Sequence, residues 1–331
     1  MKLQILVPQY NETDDICRNL LDSINMQQGV PMNEFGVIIC NDGSDIFLSD
    51  ELLSSYRYPI EYHKEPHRGV SGTRNACLDY ATADYVMFCD ADDMFFNSLA
   101  FWIIFDEINS PFDCLVSKFV EEVNDVNHHF YNFIHHENDL IFVHGKAFRR
   151  QFLLENNIRF DDRLTVNEDS YFNVIAQAIS KRTVYVDTAF YLWKFRMDSV
   201  SRNDPKHLVK TYRNLLDSEE AMLQQFLRRR MEKEAISLVA SFIFDTFYSL
   251  NKPDWVDPEN QTYRDFAERY FASYFQRYRY IFEKIPESDR IKISGEVRAR
   301  NIKEGMRMER TSFPEWIEHI EQLSQEERKQ P

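Results

Sequence analysis

Along the first hundred residues, short apolar runs alternate with segments whose apolar positions recur every three or four residues. The runs LQILV (3–7), FGVIIC (35–40), PIEYH (59–63) and DYVMFCD (84–90) are rich in β-branched or aromatic side chains, as buried strands are. Between them, residues 13–28 place Ile16, Leu20, Leu21 and Ile24 on one helical face, and residues 70–82 centre on Ala76, Leu78 and Ala81. Strands alternating with helices predict βαβ units and an α/β, Rossmann-like, mainly parallel sheet, whose ligands sit beyond the carboxyl ends of the strands. Polar clusters fall at those ends: PQYNE after the first run, NDGSD after the second, DADD after the fourth.

Residues 110–145 read as less regular strands and loops. Helical spacing returns in KAFRRQFLLENN (146–157) and NEDSYFNVIAQAIS (167–180), followed by two strand-like runs, TVYVD and AFYLWKF. From His207 the pattern is helical to the end, broken at residues 251–260. The expected division is a domain over 1–203 and a helical C-terminal domain over 204–331, serving acceptor binding or oligomerisation. Tyr270, Tyr274 and Tyr278 lie four apart, and a helix packed into a core accounts for that stripe better than a sugar-binding face. Arg300, Lys303, Arg307 and Arg310 share one helical side, read as a solvated face, with contact to an anionic acceptor or membrane surface as the sharper alternative.

Charge changes this picture modestly. Residues 1–203 carry 17 basic against 31 acidic side chains, net −14, while 204–331 carry 22 against 23, net −1. An acidic first half disfavours nucleic-acid binding and suits a cation site. The five cysteines are dispersed, without a CxxC pair, as in a reduced cytoplasmic protein. No 18-residue apolar stretch exists, so the chain is expected not to span a membrane, though peripheral contact at its inner face is compatible.

The acids carry the candidate chemistry. Asp90 and Asp92, flanked by Asp93, follow an apolar strand, and carboxylates so placed suit Mg2+ or Mn2+ together with phosphate oxygens. Asp42 ends a second strand. Arg68 and Arg74 flank a helix start in HRGVSGTRNA, and both guanidinium groups and helix N-termini favour phosphate. Glu168 and Asp169 open another helix, where a dipole partner and a general base are the competing readings. Arg196, Ser199, Ser201 and Arg202 form a polar loop able to close over a diphosphate. Neither GxGxxG nor GxxxxGK[ST] is present.

Taken in order and spacing, LVPQYNE, NDGSD, RGVSGTRNACLDYATADYVMFCDADD, RFDDRLTVNEDSYF and YLWKFRMDSVS resemble the family 2 glycosyltransferases with a GT-A fold, over roughly residues 1–203. The resemblance implies a metal-dependent, inverting enzyme moving a hexose or N-acetylhexosamine from a UDP-sugar, with Mn2+ or Mg2+ as cofactor. It places Pro8, Tyr10 and Glu12 along the nucleotide pocket, Asp42 on the base, Arg68 and Arg74 near the nucleotide and phosphates, and Asp90 at the ribose and metal. Asp92 becomes the metal ligand, Asp169 the catalytic base with Glu168 beside it, and Arg196 with Ser199 the loop over the diphosphate. Asn41 stands where many relatives have aspartate, and Met197–Asp198 depart from the commoner glycine-containing loop.

The implied acceptor is a glycan, a teichoic-acid-like polymer, a protein or modified DNA, the last being the one expected nucleic-acid contact. A homo-oligomer through the C-terminal helices is compatible with the pattern. Two competing functions are a non-catalytic nucleotide-sugar-binding protein of the same fold and an Asp-dependent phosphotransferase. The second wants its DxD at the first strand with a Thr or Gly nearby, whereas DADDMFF follows the fourth.

Overall fold

The computed structural model describes residues 1–124, 129–136, 139–196, 207–251, 258–303, 309 and 311–327. The chain divides into two compact units, Met1–Asn203 and Asp204–Pro331.

In the first unit, β1 (Leu3–Gln9), β2 (Phe35–Asp42), β3 (Ile60–Glu65) and β4 (Tyr85–Phe88) alternate with α1 (Asp14–Asn25), α2 (Asp50–Ser54) and α3 (Gly69–Tyr80). All four strands are parallel, β1 lying between β2 and β4. Every residue of β2 is buried, which explains its uninterrupted apolar run. Helix α1 turns Cys17, Leu20, Leu21 and Ile24 into the core with Ile5, Val7 and Phe35. Burying each leucine or isoleucine is worth about 1.5–3 kcal/mol.

After β4 the chain adds β5 (Met94–Phe95), α4 (Ala100–Ile108), β6 (Cys114–Asn124), β7 (Phe130–His135), β8 (Lys146–Arg149), α5 (Arg150–Glu155), α6 (Glu168–Ile179) and β9 (Thr183–Trp193). The sheet runs β3-β2-β1-β4-β8-β6-β9-β5, with β7 pairing β6. Strand β8 enters antiparallel between β4 and β6, so the parallel half becomes a mixed sheet there.

Three expectations change at this end of the sheet. Residues 146–149 form a strand rather than the start of a helix, because KAFR is drawn into the ladder between β4 and β6 with Ala147 and Phe148 fully buried. TVYVD and AFYLWKF are one strand, β9, whose register against β6 shifts at Ser117–Phe119. The region 110–145 holds strands, as expected, but in a more regular form: β6, eleven residues long, pairs with β7 in a hairpin.

The second unit is helical: α7 (His207–Arg228), α8 (Glu232–Leu250), α9 (Pro258–Glu283), α10 (Glu287–Lys303) and α11 (Phe313–Glu327). Phe271, Tyr274, Phe275 and Tyr278 of α9 are buried in a core joined by Phe247 and Trp316, whereas Tyr270, the first of the stripe, is exposed. The Trp316 indole N–H donates to Glu268 at 2.9 Å, and Arg300 pairs with Asp245 at 2.9 Å. Arg307 and Arg310 lie outside the described residues. Among the described residues no helix is long and apolar enough to cross a membrane.

Candidate active site

The loops after β1 and β2 are stitched together by backbone geometry. Gly43 has φ +67°, and a Cβ there would lie 2.5 Å from the His67 backbone nitrogen, so only glycine permits this approach. The approach brings the start of α3 onto Asp42, whose buried carboxylate accepts from the Arg68 backbone N–H at 2.6 Å and contacts His67 Nδ1 at 3.0 Å. Asn41 is structural: its amide donates to Gln9 and to the Ile46 carbonyl, and its oxygen accepts from the Ser44 N–H. Pro8 lies beside Cys40 in the β1–β2 ladder, and the exposed Tyr10 ring sits 4.9 Å from His67. Glu12 accepts from the Tyr10 N–H at 2.6 Å. Burial pushes its carboxyl up to about 7, with Asp92 adding to the shift while Arg196 and backbone N–H groups oppose it.

Beyond β4 the three acids take separate partners. Asp92 accepts from Arg196 at 3.0 Å, while Asp90 accepts from Arg74 at 2.9 Å. Asp93 is buried and accepts from the Tyr191 hydroxyl at 2.5 Å and the Lys194 N–H at 2.9 Å. Tyr191 also accepts from the Asp90 N–H at 3.0 Å, so one phenol ties the loop to β9. Burial works against the Asp90 carboxylate, but the adjacent Arg74 outweighs it and holds the group below the ordinary carboxylate range. Burial and the neighbouring Asp90 push Asp92 up, and Asp93 is driven well up by burial with both neighbours.

Arg74 is the hub. Its side chain is 3% exposed; Nη1 donates to Asp169 at 2.6 Å and Glu168 at 3.1 Å, and Nη2 donates to Asp90. The acids at 168 and 169 reach it because Asn167 precedes α6 in a left-handed conformation (φ 63°), which asparagine tolerates better than most residues. The second Asp169 oxygen accepts from the Val143 N–H at 3.0 Å. Burial pushes the Asp169 carboxyl up to about 7, with Arg74 opposing and Glu168 adding. A carboxyl poised there is suited to taking a proton near neutral pH.

The segment leading into β8 supplies further titratable groups. His144 is buried, stacks on Tyr191 at 4.5 Å, and is held neutral by burial, which lowers it to about 4. Burial also lowers Lys146, to about 8. His135 contacts Glu121 at 2.9 Å and Asp139 at 3.1 Å; burial disfavours its charge, but those two acids prevail and raise it to about 8.

Comparison with known proteins bears on the family and the fold. The sequence profile of glycosyl transferase family 2 matches residues 4–164. The structure of S. aureus TarS 1-349 in complex with UDP-GlcNAc superposes with a TM-score of 0.59 at 21% identity, covering 82% of this chain and 81% of that one, a likeness of fold. The first unit is a family 2 glycosyltransferase domain of GT-A architecture. Glycosyltransferase GlyA of Streptococcus pneumoniae serotype 4 is 26% identical over 239 residues, 61% of this chain and 32% of GlyA. Poly(ribitol-phosphate) beta-glucosyltransferase of Bacillus spizizenii is 24% identical over 307 residues, 87% of this chain and 46% of the relative. The chain thus spans less than half the length of these two curated relatives.

Within this glycosyltransferase domain, Arg74 draws Asp90, Glu168 and Asp169 together, and Glu12 lies within electrostatic reach of Asp92 and Arg196. Arg68 and Arg74 diverge: the Arg68 side chain is 53% exposed and meets Glu65 at 3.4 Å, whereas Arg74 turns inward onto carboxylates rather than toward an open phosphate site. Ser199, with Ser201 and Arg202, lies outside the described residues. A divalent cation fits the acid loop, because burial together with the neighbouring carboxylates leaves Asp92 and Asp93 above their ordinary range, and bound positive charge opposes both effects. His67, His144 and Tyr191 were not among the residues expected from sequence, and Asp93 was expected only as the flank of Asp90 and Asp92. The signal for His144 was a histidine between an apolar run and a glycine, VHG, which reads equally as a strand end. A cavity of about 470 Å³ beside the β6–β7 hairpin is lined by Glu122, Phe130, Tyr131 and Asn132, and none of Asp90, Asp92 or Asp169 lines it.

Proposed function

We propose that the protein is an inverting, metal-dependent glycosyltransferase that moves a hexose or N-acetylhexosamine from a UDP-sugar to a hydroxyl of a polyol-phosphate or glycan polymer. One observation carries this reading: a single buried guanidinium, Arg74, joins Asp90 of the acid loop to Asp169 of α6. The two demands of an inverting displacement, charge neutralisation at the leaving diphosphate and proton removal from the attacking hydroxyl, then fall on either side of one side chain. Asp169 takes the proton as the acceptor oxygen bonds to the anomeric carbon and the bond to the diphosphate breaks. Asp90 and Asp92 would hold a Mn2+ or Mg2+ ion, which supplies charge stabilisation to the departing diphosphate. Asp42 faces the base, with Tyr10 and Glu12 along the same edge. The UDP-GlcNAc named for the TarS complex and the polymer named for the B. spizizenii relative support the donor and acceptor classes.

The test is a panel of nucleotide sugars with Mn2+, scored for binding and for nucleotide release with and without poly(ribitol phosphate). Selective UDP-sugar binding with polymer-stimulated release is expected. Asp169→Asn should keep binding and lose about 10²–10⁴-fold in transfer, the usual contribution of a general base. Equal binding of all nucleotide sugars, or full transfer by Asp169→Asn, sinks the reading.

A further inference from the structure

Beside the Asp90–Asp92 pair lies a different set of donor atoms. Asp90, Asp93 and His144 each bring one ligand-capable atom to within 4.8 Å of the others. The acids come from the loop after β4, and His144 from the turn leading into β8. Asp93 is 1% and His144 3% exposed. His144 Nδ1 is buried without a hydrogen-bond partner. A buried nitrogen left so is destabilising, and a fold seldom leaves it without compensation. Tyr191, Phe142, Phe119 and Trp193 surround the imidazole and fix its orientation.

Charge points the same way. Asp90 has Arg74 and Asp92 has Arg196 as counter-ions, whereas Asp93 is held by hydrogen bonds from Tyr191 and Lys194, with no cationic side chain paired to it among the described residues. A neutral imidazole beside two carboxylates is a ligand set for transition metals rather than for Mg2+, which prefers oxygen alone. With bonds of about 2.1 Å, neighbouring ligands of one ion stand about 3.0–3.4 Å apart and opposite ones about 4.2 Å, so these donors would have to draw inward to share an ion.

We propose that Asp90, Asp93 and His144 form a transition-metal site, taking Mn2+, Co2+ or Zn2+ through one imidazole nitrogen and two carboxylate oxygens. The site is filled before any nucleotide arrives, and it pins the acid loop to the turn before β8, leaving Asp92 to face the donor. The inference rests on the functional reading only in sharing Asp90, and its test needs no turnover.

The test uses the full chain without nucleotide, titrated with Mn2+ and followed by electron paramagnetic resonance, with pulsed measurements for coupling to a coordinated ¹⁴N nucleus. One bound Mn2+ with ¹⁴N coupling is expected, undisturbed by an equal concentration of Mg2+. His144→Gln should abolish the coupling, and both His144→Gln and Asp93→Asn should weaken binding by about tenfold or more. Asp92→Asn should retain the nitrogen-coupled signal. Absence of ¹⁴N coupling in the unmodified protein overturns the proposal, and so does coupling that survives in His144→Gln. Thermal unfolding checks each variant, and the unmodified spectrum decides the matter even where a variant does not fold. Nitrogen-coupled Mn2+ in a protein that binds no nucleotide sugar would uphold the site and retire the proposed function. Mn2+ bound only with UDP-sugar and without nitrogen coupling would do the reverse.

Discussion

Arg74 and Asp169 stand 2.6 Å apart although 95 residues separate them in the chain. The contact joins the helix after β3 to the helix before β9, and the same guanidinium reaches Asp90. Breaking a buried ion pair by removing one partner strands the remaining charges.

Arg74→Met is therefore expected to lower folding stability by about 3–5 kcal/mol, the cost typical of orphaning buried charge. Arg74→Lys should lose less, since it keeps the charge but not the forked geometry. Urea unfolding measures both, and an unchanged midpoint in Arg74→Met would remove the hub from the account.

Asp169 predicts two pH dependences. As a base it acts only when ionised, so transfer should climb with pH to a plateau above about 7. Its folded pKa lies above the unfolded value, so its contribution to stability is full below the ordinary carboxylate range and is lost as pH rises through about 7. Asp169→Asn, which cannot ionise, should then compare more favourably with the unmodified protein at pH 8 than at pH 5. Denaturation at the two pH values checks this, and a pH-independent difference contradicts it.

Gly43→Ala should be costly in both stability and donor binding. The backbone there is left-handed and the new methyl would press on the His67 main chain, displacing the groups that hold Asp42. A loss of about 1–3 kcal/mol is expected from strain of this kind. A variant with an unchanged melting temperature and unchanged UDP-sugar affinity would show that the loop relaxes freely.

Asp92→Asn separates the acids by role. It leaves the Arg74 hub intact, so stability should change by less than about 1 kcal/mol, while UDP-sugar binding should lose most of its dependence on Mn2+. Calorimetric titration with and without Mn2+ reads the difference; equal metal dependence in both proteins refutes the assignment.

The parallel half of the sheet was legible because its strands are continuous apolar runs and its polar clusters fall where such strands end. KAFR misled because its helical spacing continues into RRQFLLE, while the partner strands that claim it lie about 30 to 60 residues upstream. Asp90, Asp92, Glu168 and Asp169 could be named from local pattern, but their partners could not. Arg74 looked like a phosphate ligand because nothing near it in sequence reveals three carboxylates arriving from elsewhere. The Tyr191–Asp93 bond spans 98 residues, and the register shift at Ser117–Phe119 that accompanies it leaves no local mark.

The cysteines at 17, 40, 77, 89 and 114 are all buried and all belong to the first unit. A thiol reagent added to the native protein therefore meets no accessible sulfur, and its consumption times the transient opening of one half of the chain while the other half stays silent. The polypeptide carries its own stopwatch, able to tell whether a bound sugar nucleotide slows that breathing.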